Sequence, residues 1–337
     1  VPKLTSGGDS LDILNSLRAV AALMVCLFHS AFLLEPFIPT VASILDIGQY
    51  GVYVFFVISG MVIPLALEKS NYSLRDFSVF MTRRIIRLMP ALIASASIVA
   101  LSSWLVLDIE TIELIRQWAV SISLTAPLFN IPFVNEVYWT LYVEMQYYIY
   151  IALAFPLLHR ASIQWQRVLL LSILALSFVS LLTGGYEKSK LPFQLPVFLI
   201  GYITFLYYRE RISKSEFFAW LLLCTGVCYF LVGYLHGFGY RIGTIAALTS
   251  LTIAHVHRGW RPLSAIGEYS YSFYLIHWPI ISALCYVASG WMEITWGAII
   301  LFLLVQLVAL VCARLFYRIV ERPSMNWSRK IAYRHKN

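Results

Sequence analysis

Long apolar runs separated by short polar or Pro/Gly-rich breaks dominate the chain. Runs near 13–34, 49–68, 88–107, 137–157, 167–183, 191–208, 217–235, 240–257, 269–289 and 294–316 predict ten helices long enough to span a bilayer, at about 20 residues per crossing. The stretch from Ile115 to Phe133 is broken by Pro127 and Pro132 and reads as a surface or re-entrant segment within the largest loop, 108–136. No internal repeat at a fixed period is evident.

Composition narrows the picture further. The 337 residues are 60% hydrophobic and only 12% charged, against roughly 25% charged in soluble domains, so a soluble globular fold is excluded. About 200 apolar residues fill about ten crossings, which leaves no room for a Rossmann unit or a P-loop domain. Any chemistry must sit between helices. The five cysteines all fall in apolar runs, and only Cys224 and Cys228 are one helical turn apart. That pattern suggests neither disulfides nor a metal site. The first run follows Asp9 and Asp12 without a basic leader or a small-residue cleavage site, and is expected to be a retained span.

The net charge of +8 would suggest nucleic acid in a soluble protein. Here its distribution decides otherwise. With the amino terminus inside, 21 of the 25 Lys and Arg residues fall on the cytoplasmic side, and only Arg116, Lys188, Lys190 and Arg241 fall outside. This is the positive-inside pattern, with both termini cytoplasmic and no nucleic-acid partner. The chain divides into an amino-terminal tail (1–10), a transmembrane domain (11–323) and a basic cytoplasmic tail (324–337).

Ionisable residues within spans cost about 2.5–3.5 kcal/mol each on insertion scales and mark functional or wet positions by default. Three stand out: His29, Glu144 and His277. Arg18 precedes His29 by eleven residues, three helical turns plus roughly 20°, so the two share a face about 16 Å apart along the axis. One helix face would then carry an anion-binding group at the membrane mouth and a base deep inside. A buried hydrogen-bonded histidine with a snorkelling arginine is the structural alternative. Glu144, counted from the outer end of its span, is expected in a layer similar to that of His29, where a carboxylate would fix and strengthen an imidazole base. It could equally serve only the hydroxyls of Tyr138, Tyr142, Tyr147 and Tyr148. His277 precedes Trp278-Pro279, and the proline frees a carbonyl about four residues back; a structural or pocket-shaping role is expected. Arg84 and Arg87 are adjacent on one helical face before Pro90. Paired guanidiniums suit phosphate, although loop charge and lipid headgroups account for them as well.

The ordered motifs are Arg18 with His29; Gly51 to Gly60, including Ser59; Phe80 with Arg83-Arg84, Arg87 and Pro90; Trp139-Thr140-Leu141-Tyr142-Val143-Glu144; Ser270 to Pro279; and Glu321-Arg322-Pro323. Each is weak alone, but together, in this order, they make the chain similar to the acyltransferase 3 family of membrane-bound O-acyltransferases, from residue 11 to about 323. The resemblance implies an all-α polytopic membrane protein of about ten transmembrane helices around an intramembrane active-site cavity, in a bacterial inner membrane. It implies an acyl-CoA donor, commonly acetyl-CoA, loaded from the cytoplasm, and a glycan or glycolipid acceptor hydroxyl arriving from the other side. By position, His29 would be the base, Arg18 would orient the donor, and Arg84 and Arg87 would hold coenzyme A phosphates. Glu144 falls on the tryptophan-to-glutamate motif as a second candidate catalytic residue, and Ser59, Trp139, Tyr142 and His277 are candidate pocket residues. Some members carry a carboxyl-terminal esterase-like domain; a chain ending in a basic tail would leave any second transfer to a separate protein. Direct transfer is preferred to an acyl-enzyme, because neither Ser30, Ser59 nor any cysteine has a base at a suitable spacing. The rival reading is a transporter or flippase of a lipid-linked sugar or small anion, for which the buried His and Glu would form a proton relay.

Overall fold

The computed structural model describes residues 9–106, 109–184, 187–230, 239–256 and 258–333. Most of the expected amino-terminal tail, the end of the run at 217–235 and the last four residues lie outside these. Fifteen α-helices follow one another, and no strand occurs among the described residues. They are α1 (Asp9–Ser30), α2 (Pro39–Leu45), α3 (Gly51–Lys69), α4 (Phe77–Val106), α5 (Thr111–Ile122), α6 (Ala126–Phe129), α7 (Trp139–Arg160), α8 (Ile163–Gly184), α9 (Leu191–Tyr208), α10 (Lys214–Cys228), α11 (Gly239–His255), α12 (Arg261–Gly267), α13 (Ser270–Val287), α14 (Thr295–Phe316) and α15 (Arg322–Lys330). Among the described residues, seven helical stretches are long and apolar enough to cross a membrane. They begin at Asp12, Pro39, Leu74, Glu136, Ile163, Leu191 and Thr295. The protein is an integral membrane protein.

Close backbone approach sets the centre of the bundle. Helices α3 and α9 cross at Gly60 and Gly201, where a Cβ on Gly60 would lie 2.2 Å from the Phe198 carbonyl oxygen and one on Gly201 would lie 2.1 Å from that of Val57. Even a methyl group there would force the helices apart, the small-residue contact by which membrane helices gain van der Waals packing. Helix α9 is the innermost element, buried from Leu191 to Tyr207. Phe198 stacks on Tyr147 of α7 at 4.0 Å and on Phe56 of α3 at 4.8 Å, which binds these three helices into one core.

Prolines inside the helices are accommodated by polar neighbours. Pro64 frees the carbonyl of Gly60, which the Tyr147 hydroxyl approaches at 3.5 Å. Pro279 frees the carbonyl of Leu275, and Ser95 of α4 donates to it at 2.9 Å. Such re-satisfaction is what permits proline in a span. Helix α4 runs unbroken through Pro90 for 30 residues and begins well before the expected start at 88. Two side chains brace that stretch from outside: Tyr271 donates to the Leu88 carbonyl at 3.0 Å and Ser324 to the Arg87 carbonyl at 3.1 Å. Two further departures from the sequence reading concern connecting segments. The broken region after 108 contains the amphipathic helix α5, which buries Leu114 and Val120. Residues 322–330, most of them expected to begin a tail, form α15, which follows a π-helical turn at Tyr317–Glu321 and packs on α4.

Candidate functional site

Helices α1, α3, α4, α7, α13 and α15 enclose a cavity of about 590 Å³, well within the range of small-molecule sites. Five arginines (Arg18, Arg84, Arg87, Arg322 and Arg329) and three glutamates (Glu144, Glu268 and Glu321) line it, a net charge of +2. Beside it lies a second cavity of about 370 Å³ that shares Arg84, Arg87 and Arg329, adds Lys69 and Arg83, and has no acidic residue in its wall. Arg18, Ser59, Arg84, Arg87 and Glu144, five of the residues singled out in the sequence, thus come together in one place.

Their positions are fixed by specific contacts. The Arg84 guanidinium lies over the rings of both Phe80 and Tyr148, 5.2 and 5.1 Å from their centres, two cation–π contacts with rings that themselves meet edge to face. The Tyr148 hydroxyl donates to Glu144 Oε1 at 2.5 Å, and Ser59 donates to the same oxygen at 2.9 Å. Both hydroxyls are supplied by neighbours one turn along α7 and across on α3. Glu321, only 3% exposed, accepts bonds from the Ser272 backbone N–H at 3.1 Å and the Ser272 hydroxyl at 2.5 Å. A buried carboxylate with two donors is satisfied, and it stands in the same wall as the arginines.

Glu144 therefore belongs to the arginine cavity, where Ser59 and Tyr148 supply its bonds, and it does not stand beside His29 as depth counting suggested. The reason is electrostatic: in a low-dielectric span a carboxylate is stabilised most by clustered cations, and Glu144 has Arg18, Arg84 and Arg87 in the same cavity. The partner of His29 is instead His277, with His29 Nδ1 2.8 Å from His277 Nε2. His277 is 1% exposed, and its Nδ1 lies 2.7 Å from the Tyr274 carbonyl oxygen. The carbonyl freed by Pro279 is met by Ser95, so His277 is not occupied with that task.

Neither histidine is among the residues lining the cavity. Phe55, Thr140 and Tyr274 form the part of its lining that meets the histidine pair. The Phe55 and Tyr274 rings meet edge to face at 6.0 Å, and the Tyr274 hydroxyl is held by Thr140 at 2.8 Å and donates to the Val137 carbonyl at 2.9 Å. His277 lies immediately behind, its ring centre 5.8 Å from that of Tyr274. Trp139 and Tyr142 also lie outside the cavity lining. Trp139 packs on Phe56 and carries Lys188 over its face at 5.6 Å. Close by, Glu187 pairs with Lys190 at 2.6 Å, which holds the Glu187 carboxyl below the usual carboxylate range.

The sequence analysis assigned no role to Arg322, Arg329 or Glu321 in the cavity, while of the four tyrosines it set beside Glu144, Tyr148 is the one that bonds its carboxylate. The Glu321-Arg322-Pro323 motif was the available signal for two of them. Arg329 gave none, because in the sequence it is one more basic residue of a tail.

Comparison with known proteins decides the family. Residues 11–318 match the acyltransferase domain of the acyltransferase 3 family. The chain belongs to that family. It is similar to "O-acetyltransferase OatA" of Staphylococcus aureus (strain NCTC 8325 / PS 47), 26% identical over 92% of this chain and 56% of the relative. It is also similar to "Putative peptidoglycan O-acetyltransferase YrhL" of Bacillus subtilis (strain 168), 26% identical over 92% of this chain and 54% of the relative. A third relative, "Putative membrane-bound transacylase BcsY" of Komagataeibacter xylinus, is 24% identical over 96% of this chain and 85% of its own length. The chain thus spans little more than half the length of the first two. No solved structure matches it.

Proposed function

We propose that this acyltransferase 3 protein is a membrane O-acyltransferase that takes an acyl group, acetyl in the first instance, from acyl-CoA and transfers it to a hydroxyl of a surface glycan such as peptidoglycan. The observation that carries the donor assignment is the pair of adjoining cavities sharing Arg84, Arg87 and Arg329. Seven cations face them against three carboxylates, an excess that suits a polyanion, and phosphates match forked guanidinium donors. The relatives' names supply the acetyl group and the glycan.

In this reading the chain has ten spans with both termini in the cytoplasm of a bacterial inner membrane. The donor's phosphates stay with the arginines, and its thioester arm passes Arg18 and the Phe55–Tyr274 wall toward His29. The acceptor oxygen attacks the thioester carbonyl carbon while His29 takes the hydroxyl proton. The carbon–sulfur bond then breaks, the imidazolium returns the proton to the thiolate, and ester and free coenzyme A leave. Holding both reactants in one place removes much of the entropic barrier, and the apolar wall limits thioester hydrolysis.

The test uses purified protein in lipid nanodiscs with labelled acetyl-CoA and a peptidoglycan fragment. Wild type is expected to release coenzyme A in step with label appearing on the glycan, and His29→Ala to bind coenzyme A normally without transfer. A wild-type protein that binds donor yet never releases coenzyme A would favour a transporter, and near-normal turnover in His29→Ala would remove His29 from the chemistry.

A further inference from the structure

We infer that His277 is the positioning residue of the reaction, fixing the tautomer of His29 so that His29 Nε2 is the atom that takes the acceptor's proton. This rests on the acyl-transfer reading above and adds to it the machinery that prepares the base. The argument starts from an atom with only one possible role. A backbone carbonyl accepts and cannot donate, so the 2.7 Å contact between Tyr274 O and His277 Nδ1 places a proton on His277 Nδ1. In a neutral imidazole the other nitrogen then carries the lone pair. His277 Nε2 therefore accepts, and at 2.8 Å it accepts from His29 Nδ1. That leaves His29 Nε2 unprotonated. Every proton in the chain from Tyr274 to His29 follows from the carbonyl.

Ring geometry agrees. The two imidazole centres are 5.1 Å apart and their planes differ by 20°, which together with the short N···N distance sets the rings edge-on in nearly one plane, as a linear N–H···N bond requires. Phe28 and Trp278 flank His29 at ring distances of 4.9 and 5.3 Å, restricting rotation of the ring. The anchor is itself fixed. Tyr274, whose carbonyl holds His277, has its hydroxyl bound to Thr140 and to the Val137 carbonyl just before α7, and the next carbonyl along α13, that of Leu275, is held by Ser95.

The pair does something that a buried filler histidine would not. When His29 Nε2 takes a proton, the Nδ1–H bond to His277 becomes charge-assisted and stronger, so the interaction grows as the transition state forms and accelerates the chemical step. A neutral orienter does this without placing a second carboxylate in an apolar span, where one would be costly.

Two substitutions separate positioning from packing. His277→Asn places an amide near the former Nδ1, keeping the bond to Tyr274 and leaving His29 without an acceptor. His277→Gln places an amide oxygen near the former Nε2, keeping an acceptor for His29. With wild-type donor affinity in both, Asn is expected to lose roughly 100- to 1,000-fold in kcat with KM for acyl-CoA little changed, and Gln to recover at least about tenfold of that loss. A purely structural histidine predicts the reverse order, because Asn retains the backbone bond. Asn turnover within about threefold of wild type, or Gln no better than Asn, overturns the inference. A second measurement uses wild-type protein and needs no variant to be active. In ¹⁵N-histidine-labelled protein, with His29 resonances identified by their loss in His29→Ala, Nδ1 should show a pyrrole-type shift and Nε2 a pyridine-type shift. The opposite pattern refutes the tautomer. If His29→Ala is inactive while His277→Asn is fully active, only the positioning role falls. If His29→Ala turns over near-normally, His29 leaves the chemistry and this inference falls with it, whereas only a wild-type protein that never releases coenzyme A removes the acyl-transfer reading itself.

Discussion

Replacing Arg84 tests the donor site most directly, because this side chain lines both cavities and its setting gives a magnitude. Its guanidinium is held against the rings of Phe80 and Tyr148, contacts that leave its N–H donors for an anion. Arg84→Ala removes a hydrogen bond to a charged group worth about 1.5–3 kcal/mol, which is roughly a ten- to hundredfold rise in Kd for coenzyme A. Arg84→Lys keeps the charge but loses the fork and the two ring contacts, each cation–π contact being worth about 0.5–1 kcal/mol; an intermediate rise of roughly three- to tenfold is expected. The assay is calorimetric titration of coenzyme A into nanodisc-embedded protein at about 0.15 M salt, which reads binding and needs no turnover. Arg241→Ala is the control, since Arg241 lies against Tyr50 and Tyr240 away from both cavities. A Kd for Arg84→Ala within about twofold of wild type would return this arginine to the role of topology charge. Equal losses in Arg84→Lys and Arg84→Ala would instead show that geometry, not charge, holds the ligand.

Two other substitutions probe the same cavity. Glu144→Gln keeps an acceptor for Ser59 and Tyr148 but removes one negative charge from a wall already carrying net +2, so KM for acyl-CoA should fall while coenzyme A release slows and kcat drops; a raised KM in steady-state assays would contradict this. Phe55→Ala opens the wall between the cavity and the histidine pair, so acceptor-free hydrolysis of acyl-CoA should rise several-fold relative to transfer; unchanged coenzyme A release without acceptor would show that the ring excludes nothing.

The sequence carried the helical membrane fold because an apolar run of span length has few other structures available to it. It carried Glu144, His29 and His277 for the complementary reason: a titratable group inside such runs is costly enough to be conspicuous, while Arg18 stood out by its spacing from His29, and Arg84 and Arg87 by their pairing. It could not carry the pairing of those charges. Depth along each helix suggested that Glu144 and His29 share a layer, but depth leaves the rotation and tilt of α7 undefined, and these turn Glu144 toward Ser59 and Tyr148. The His29–His277 contact joins residues 248 positions apart and depends on α1 packing against α13, for which no local pattern exists. Arg322 and Arg329 were hidden differently. Basic residues past the last span read as ordinary inside charge, and only α15 folding back on α4 brings them to the cavity.

The distribution of charge also bears on enzyme against transporter. Moving a polyanion across the bilayer requires stabilising it at every depth, since an ion in the apolar middle is costly wherever it pauses. Cations would then be spread along the route or alternate between two faces. Here Arg18, Arg84, Arg87, Arg322 and Arg329 converge on one cavity, and beyond its Phe55–Tyr274 wall stand two histidines bonded to each other. Helix α1 links these stations, with Arg18 in the cavity and His29 about 16 Å further along. That layout suits a ligand whose charged head stays with the arginines while a thin neutral arm extends toward the histidines. A thioester donor has this shape: its phosphates can remain bound while a small uncharged acyl group reaches a base on the far side. In the proposed reaction the acyl group would cross as part of a covalent exchange without the polyanion entering the apolar layer, and the convergence of charge on one cavity suits group transfer better than transport.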